Sequence, residues 1–284
     1  MDAEDPLHGL RLGPVHLMVA DLERQVHFYE TVIGLRLRDR AGDTAFLGAG
    51  GPDLLILTGG AAAPRPRRAT GLYHFAILVP DRQALARTLL HLEQVGAPLH
   101  GFADHDVSEA IYLPDAEGNG IEIYCDRPRS AWQYPGGKLQ MGTALLDVEG
   151  LLRLAREQSV AWDGLPERTT VGHLHLHVAD LLATEAFYRD VLGFEVTARL
   201  PGAVFLAADG YHHHVGVNTW NGPGAPPPPP GAPGLRWFTL RLPDAPTLAK
   251  VRARLDAAGI PQAAQDGGWL ACDPSGNGLL LTVA

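Results

Sequence analysis

The chain has 284 residues, 46% hydrophobic and 19% charged, with a formal net charge of −9. That length supports two ordinary domains with sizeable cores, and the negative balance argues against a phosphate backbone as the main partner. No apolar run approaches the ~18 residues needed to span a bilayer, the N-terminus lacks a basic segment followed by an apolar signal core, and the two cysteines, Cys125 and Cys272, stand far apart, so the expectation is a protein of the reducing cytoplasm that binds neither nucleic acid nor membrane.

The first element is the apolar run Pro14-Val15-His16-Leu17-Met18-Val19, read as a strand. Asp21 then caps a segment with helical apolar spacing that Gly34 closes. Short runs such as Ala45-Phe46-Leu47 and Leu54-Leu55-Ile56-Leu57, separated by Gly, Pro and Asp turns, predict about three further strands. The same order restarts at Gly71-Leu72-Tyr73-His74-Phe75 with Asp81 and Gly96, at His173-Leu174-His175-Leu176-His177 with Asp180 and Gly193, and at Gly234-Leu235-Arg236-Trp237-Phe238 with Asp244 and Gly259. Four βαβββ units are therefore expected, two in residues 9–127 and two in residues 169–284. Between them, residues 128–168 read as a linker with a short helix over Val148 to Glu157, and the stretch from Gly222 to Gly234, with prolines at every position from Pro226 to Pro230, reads as a stiff exposed loop.

The two halves are duplicates, and one difference between them points to chemistry. Gly118-Asn119-Gly120-Ile121-Glu122-Ile123-Tyr124 returns as Gly276-Asn277-Gly278-Leu279-Leu280-Leu281-Thr282. The strand persists while the carboxylate becomes Leu280, which a purely structural role would not require. A carboxylate in an otherwise apolar strand suggests a ligand.

Paired βαβββ units with these glycine-rich final strands resemble the vicinal oxygen chelate superfamily, which includes glyoxalase I, bleomycin-resistance proteins and type I extradiol dioxygenases. The stretch from His105 through Ile111-Tyr112 to Pro114-Asp115, then Gly118 and Glu122, is similar to the extradiol ring-cleavage signature, with departures at Ala103 and at Ala116, where the family usually has proline. The resemblance implies an α+β fold in which the four βαβββ modules pair into two open β-cups, and it points most closely to the two-domain catechol 2,3-dioxygenase branch.

It further implies a centre of two histidines and one glutamate holding Fe(II), with Mn(II) as the other metal this donor set accepts. His74, on the second module's first strand, and Glu122, on its last, occupy ligand positions of that fold. The third ligand depends on which modules pair: His16 if the second pairs with the first, His175 if it pairs with the third. His214 lies 39 residues after His175, as Leu55 does after His16, so a cup containing the third module would gain a histidine. His105 and Tyr112 match the family's acid–base histidine and substrate-facing tyrosine, and His214 is a further acid–base candidate in the cross-half arrangement. Trp237 and Leu280 cannot ligate a hard cation, so one cup is expected to lack a centre. The implied partners are a small aromatic diol and O2, and a homo-oligomer is among the states the resemblance implies. Two other readings stay open: a glyoxalase-type metal-dependent isomerase, and a metal-free small-molecule binder in the manner of bleomycin-resistance proteins.

Overall fold

Each module's helix starts where an aspartate can accept a backbone amide and stops where a glycine can take a positive φ. Asp21 accepts from the Arg24 N–H, Asp81 from Ala84, Asp180 from Leu182 and Ala183, and Asp244 from Thr247. Gly34, Gly96, Gly193 and Gly259 follow at φ of 85°, 66°, 102° and 70°. The computed structural model describes residues 7–158 and 160–284.

The first module comprises β1 (Arg11–Met18), α1 (Leu22–Phe28), β2 (Arg36–Ala41), β3 (Thr44–Gly48) and β4 (Asp53–Thr58), and the second β5 (Gly71–Leu78), α2 (Arg82–Gln94), β6 (Gly101–Asp104), β7 (Ser108–Pro114) and β8 (Gly120–Asp126). Helix α3 (Val148–Gln158) lies in the connecting segment. The third module comprises β9 (Thr170–His177), α4 (Leu181–Ala186), β10 (Glu195–Leu200), β11 (Ala203–Ala207) and β12 (Val215–Asn218), and the fourth β13 (Gly234–Leu242), α5 (Ala245–Ala257), β14 (Ala263–Gln265), β15 (Gly268–Cys272) and β16 (Gly278–Val283). Helices α1 and α4 each end in a wider π-helical turn, Tyr29–Ile33 and Phe187–Leu192.

Two eight-stranded sheets result, with strand orders β14-β15-β16-β13-β1-β4-β3-β2 and β10-β11-β12-β9-β5-β8-β7-β6. The fourth module thus shares a sheet with the first, and the third with the second, so the sheets do not follow the sequence halves. Period-2 alternation sorts the second module's side chains into two sets. Ala76, Ala110 and Tyr124 form one buried cluster, flanked by Leu78 and Tyr112, and His74 and Glu122 share that alternation. Phe75, Ile77, Ile111, Ile121 and Ile123 are buried in the opposite phase.

By compactness the chain falls into two units, one made of the segment ending at Met18 with Ala62–Tyr73 and Gly172–Ala284, the other of Val19–Ala61 and His74–Val171. Each unit is held internally by its own copy of one turn. In the second, Asp115 is 4% exposed and accepts from the Glu117 N–H at 2.9 Å, the Asn119 N–H at 2.8 Å, Asn119 Nδ2 at 2.7 Å and the Tyr29 hydroxyl at 2.9 Å. Glu117 of the same turn accepts from the Ala20 and Asp21 amides. In the first, Asp273 accepts from the Ser275 and Asn277 amides, Asn277 Nδ2 and the Tyr188 hydroxyl, while Ser275 Oγ accepts from the Ala179 amide.

A buried carboxylate needs such donors, because each one lost leaves charge unsolvated. Replacing Tyr29 by Phe is therefore expected to lower the free energy of unfolding by about 1–3 kcal/mol, read as a shift in urea midpoint at unchanged m-value. Tyr134→Phe, at a residue 53% exposed, should leave the midpoint where it is.

Candidate metal centre

The strand registers bring the chemically active residues to one level of the second module. β5 runs parallel to β8 with Ala76 opposite Glu122, and β7 runs antiparallel to β8 with Tyr112 opposite Glu122. His74, two residues before Ala76, points Nε2 at Glu122 Oε2 across 3.0 Å. Two donors held at right angles on one cation at about 2.1 Å stand roughly 3 Å apart, so this pair is spaced as cis ligands.

The third member of the group is His173. Donor atoms of His74, Glu122 and His173 all lie within 4.8 Å of one another, and the three residues are 7%, 2% and 1% exposed. Two imidazoles and a carboxylate form a donor set suited to Fe(II), Mn(II) or Zn(II). The residues present fit a divalent cation, held by His74, Glu122 and His173.

The structure does not bring His175 or His16 into this group. The His175 ring lies against Tyr73, Phe205 and Trp220, at centroid distances of 5.2, 5.5 and 5.2 Å. Sequence comparison between halves aligns His16 with His175 correctly, yet neither stands in register with His74. Counting back from the helix cap identifies it: His74 is seven residues before Asp81, and His173 is seven before Asp180. The same count from Asp21 and Asp244 gives Pro14 and Trp237.

The carboxylate position behaves likewise. In the third module His175 is paired with Gly216, as Ala76 is paired with Glu122, so the counterpart of Glu122 has no side chain. A Cβ placed on Gly216 would meet the His175 ring at 3.1 Å. His175 thus occupies the space that a side chain at position 216 would need.

His105 and Tyr112 are brought together. His105 Nε2 is 2.8 Å from the Tyr112 hydroxyl, and His105 Nδ1 is 2.9 Å from the Gly142 carbonyl. A carbonyl only accepts, so Nδ1 carries the hydrogen, and in the neutral imidazole Nε2 accepts from Tyr112. Gly142 belongs to the connecting segment, which is tied to the edge of β6 by the reciprocal bonds of Asp104 and Ala144. The Tyr112 ring in turn lies 5.7 Å from that of His74.

Tyr211-His212-His213-His214, just ahead of the third module's last strand, is not itself strand. β12 begins at Val215, after a turn through Asp209 and Gly210 at φ of 54° and 59°. His214 turns into its own module, where Nδ1 accepts from the Ala208 N–H at 3.2 Å. It is His213 whose ring sits 4.0 Å from that of His173, and His213 Nδ1 pairs with His212 Nδ1 at 2.7 Å.

The model of the Glyoxalase/Bleomycin resistance protein/Dioxygenase superfamily matches residues 11–123 and 170–278. This chain belongs to that superfamily. Among curated proteins it is similar to a catechol-2,3-dioxygenase of Bacillus subtilis (strain 168), 44% identical over 254 residues, covering 87% of this chain and 88% of the relative. Among solved structures it shares its fold with a putative dioxygenase from Bacillus subtilis subsp. subtilis str. 168, at TM-score 0.65 and 13% identity over 96% of this chain and 84% of that one. It also shares it with glyoxalase I from Zea mays, at TM-score 0.56 and 17% identity over 97% and 92%. Among the described residues no helix is long and apolar enough to cross a membrane.

Within this superfamily fold, the sheet of the first and fourth modules shows what replaces a centre. His16 is paired with Trp237 on the adjacent strand, and the rings meet edge-on at 4.2 Å. Burial, with a smaller contribution from the Arg236 charge and opposed by Asp266, lowers the His16 pKa to about 4. The unfolded chain, with an ordinary histidine near 6.5, takes up this proton first. Stability should therefore fall as pH drops below about 6.5 and level off near 4, a loss of about 3 kcal/mol from this group. Between pH 7 and pH 4 the unfolding free energy from urea titrations should fall by about this much more in the protein than in His16→Gln.

Proposed function

We propose that this chain is an Fe(II)-dependent extradiol dioxygenase that opens the ring of a catechol-type diol with O2, both oxygen atoms entering the product. The observation that carries the reading is the buried group His74, Glu122 and His173, supported by the 44% identity to a protein named catechol-2,3-dioxygenase. His74, Glu122 and His173 would hold Fe(II), which when bound would supply Lewis-acid activation of the diol and electron transfer to O2; Mn(II) accepts the same donors.

The chain's own residues supply binding and proton traffic. The paired hydroxyl of Tyr112 and Nε2 of His105 form a relay that can take a phenolic proton and later return it, with the Gly142 carbonyl fixing the tautomer that starts the exchange. Ala76, Ala110 and Tyr124 form the buried apolar cluster against which Tyr112 packs. A glyoxalase-type isomerase is the less favoured reading, since its two-carboxylate centre would need a second acid and the counterpart of Glu122 is Gly216. A metal-free binder has no use for two buried imidazoles and a carboxylate gathered within 4.8 Å.

The test is anaerobic reconstitution with Fe(II), iron analysis, and a catechol panel followed by absorbance of the ring-opened semialdehyde. His74→Ala, Glu122→Ala and His173→Ala should each lose bound iron and ring cleavage together, while His16→Ala and His175→Ala keep full iron. Stoichiometric iron in both Glu122→Ala and His173→Ala would remove the reading.

A further inference from the structure

Beyond the candidate ligand His173, the strand β9 carries an aromatic strip that becomes progressively exposed. His173 is 1% exposed and His175 4%, whereas Tyr73 and Trp220, which both touch His175, are 42% and 51% exposed. Phe205 bridges the buried end, lying 5.5 Å from the His175 ring and 5.0 Å from that of His213, whose ring is tilted against that of His173. At the outer end Tyr73 and Trp220 meet edge-to-face at 5.3 Å, with His177 5.1 Å from Tyr73. Residues two apart on a strand are separated by about 7 Å, so His175 starts the strip about one aromatic ring's length from the ligand.

The main chain beneath Trp220 and the His177 ring are held in place before any ligand arrives. The Asn218 side-chain oxygen, in a fully buried residue, accepts from the Trp220 main-chain N–H at 3.0 Å and from His177 Nδ1 at 2.7 Å. The turn that carries Trp220 is closed by the bond from the Gly222 N–H to Thr219 and anchored by Asn221 Nδ2 on the Ala69 carbonyl at 2.9 Å. Half-exposed indole and phenol faces cost hydration, and rigid ones present π-surface without an ordering penalty on binding. An aromatic face carries negative potential, which accommodates a neutral planar group and disfavours a carboxylate.

We infer that Tyr73 and Trp220, backed by His175 and His177, form the wall that reads the substituent on the diol ring, and that it selects diols bearing a neutral planar substituent, such as aryl catechols, over unsubstituted or carboxylated ones. The inference rests on the diol-cleaving reading of the neighbouring ligand group, and two measurements separate the fate of one from the other. In the iron-reconstituted protein, Trp220→Ala and Tyr73→Ala should each lower kcat/KM for 3-phenylcatechol about tenfold while changing that for catechol less than twofold. An unchanged ratio in both variants overturns the wall and leaves ring cleavage standing.

Independently of turnover, protein labelled with 5-fluorotryptophan, its Trp220 resonance assigned by Trp220→Phe, is titrated anaerobically with 3-phenylcatechol, catechol and a carboxylated catechol. A shift of that resonance with 3-phenylcatechol alone supports the wall even if no diol is cleaved. No shift, or an equal shift with all three, overturns it. A dimer that Trp220→Ala converts to monomer by light scattering would make this surface an interface between copies and likewise overturn it.

Discussion

A buried aspartate at the head of a final strand is the constraint on which the centre depends. Asp115 gathers four donors, and one of them, the Tyr29 hydroxyl, comes from the helical segment of the preceding module. Glu117 adds the Ala20 and Asp21 amides from the same junction. These bonds fix where β8 begins, and with it the height at which Glu122 stands relative to His74 and Tyr112. The copy at Asp273 is looser, its tyrosine bond reaching 3.4 Å, and desolvation raises the Asp273 pKa despite its donors. There β16 carries Leu280, and nothing requires ångström-level placement.

Because the chain contains its own duplicate, the two roles can be separated without any relative. The aspartate caps, the closing glycines and the aspartate turn recur in cups that do and do not gather ligands, so they belong to folding. His74, His173 and Glu122 have Pro14, Trp237 and Leu280 at matching positions in the first and fourth modules, and those modules form the same strands. The fold forms without them, and their presence in the second and third modules is what the proposed metal centre rests on.

Much of this was legible in the sequence because it is local. An aspartate before an apolar run and a glycine after it act within one turn of chain, and Glu122 stood out against a duplicated strand. The third member of the group was harder: matching half to half pairs His16 with His175, and only a count from the cap aspartate reaches His173. Which modules share a sheet had no local signature, since equivalent strands offer equivalent edges. The run Tyr211–His214 stands ahead of its strand because the preceding Asp209-Gly210 turn delays β12 to Val215. The group that sets the His105 tautomer is a main-chain carbonyl of Gly142, and a backbone acceptor leaves no mark in a string of side chains.

The contrast between the two sheets also bears on what the centre costs. An ion pair removed from water loses more solvation than it recovers in attraction unless geometry and further partners are favourable, and apolar residues of similar volume commonly fill such a site with a gain in stability. The first and fourth modules show that solution, with Trp237 edge-on to a histidine whose charged form burial suppresses, and Leu280 on the facing strand. The second and third modules keep a carboxylate 2% exposed and two imidazoles beside it. A divalent cation bound there would turn that liability into binding free energy, since three donors that are costly to bury together would each be attracted to its double positive charge. Stability forgone in one sheet and secured in the other is the pattern expected where a polar cluster is retained for what it binds.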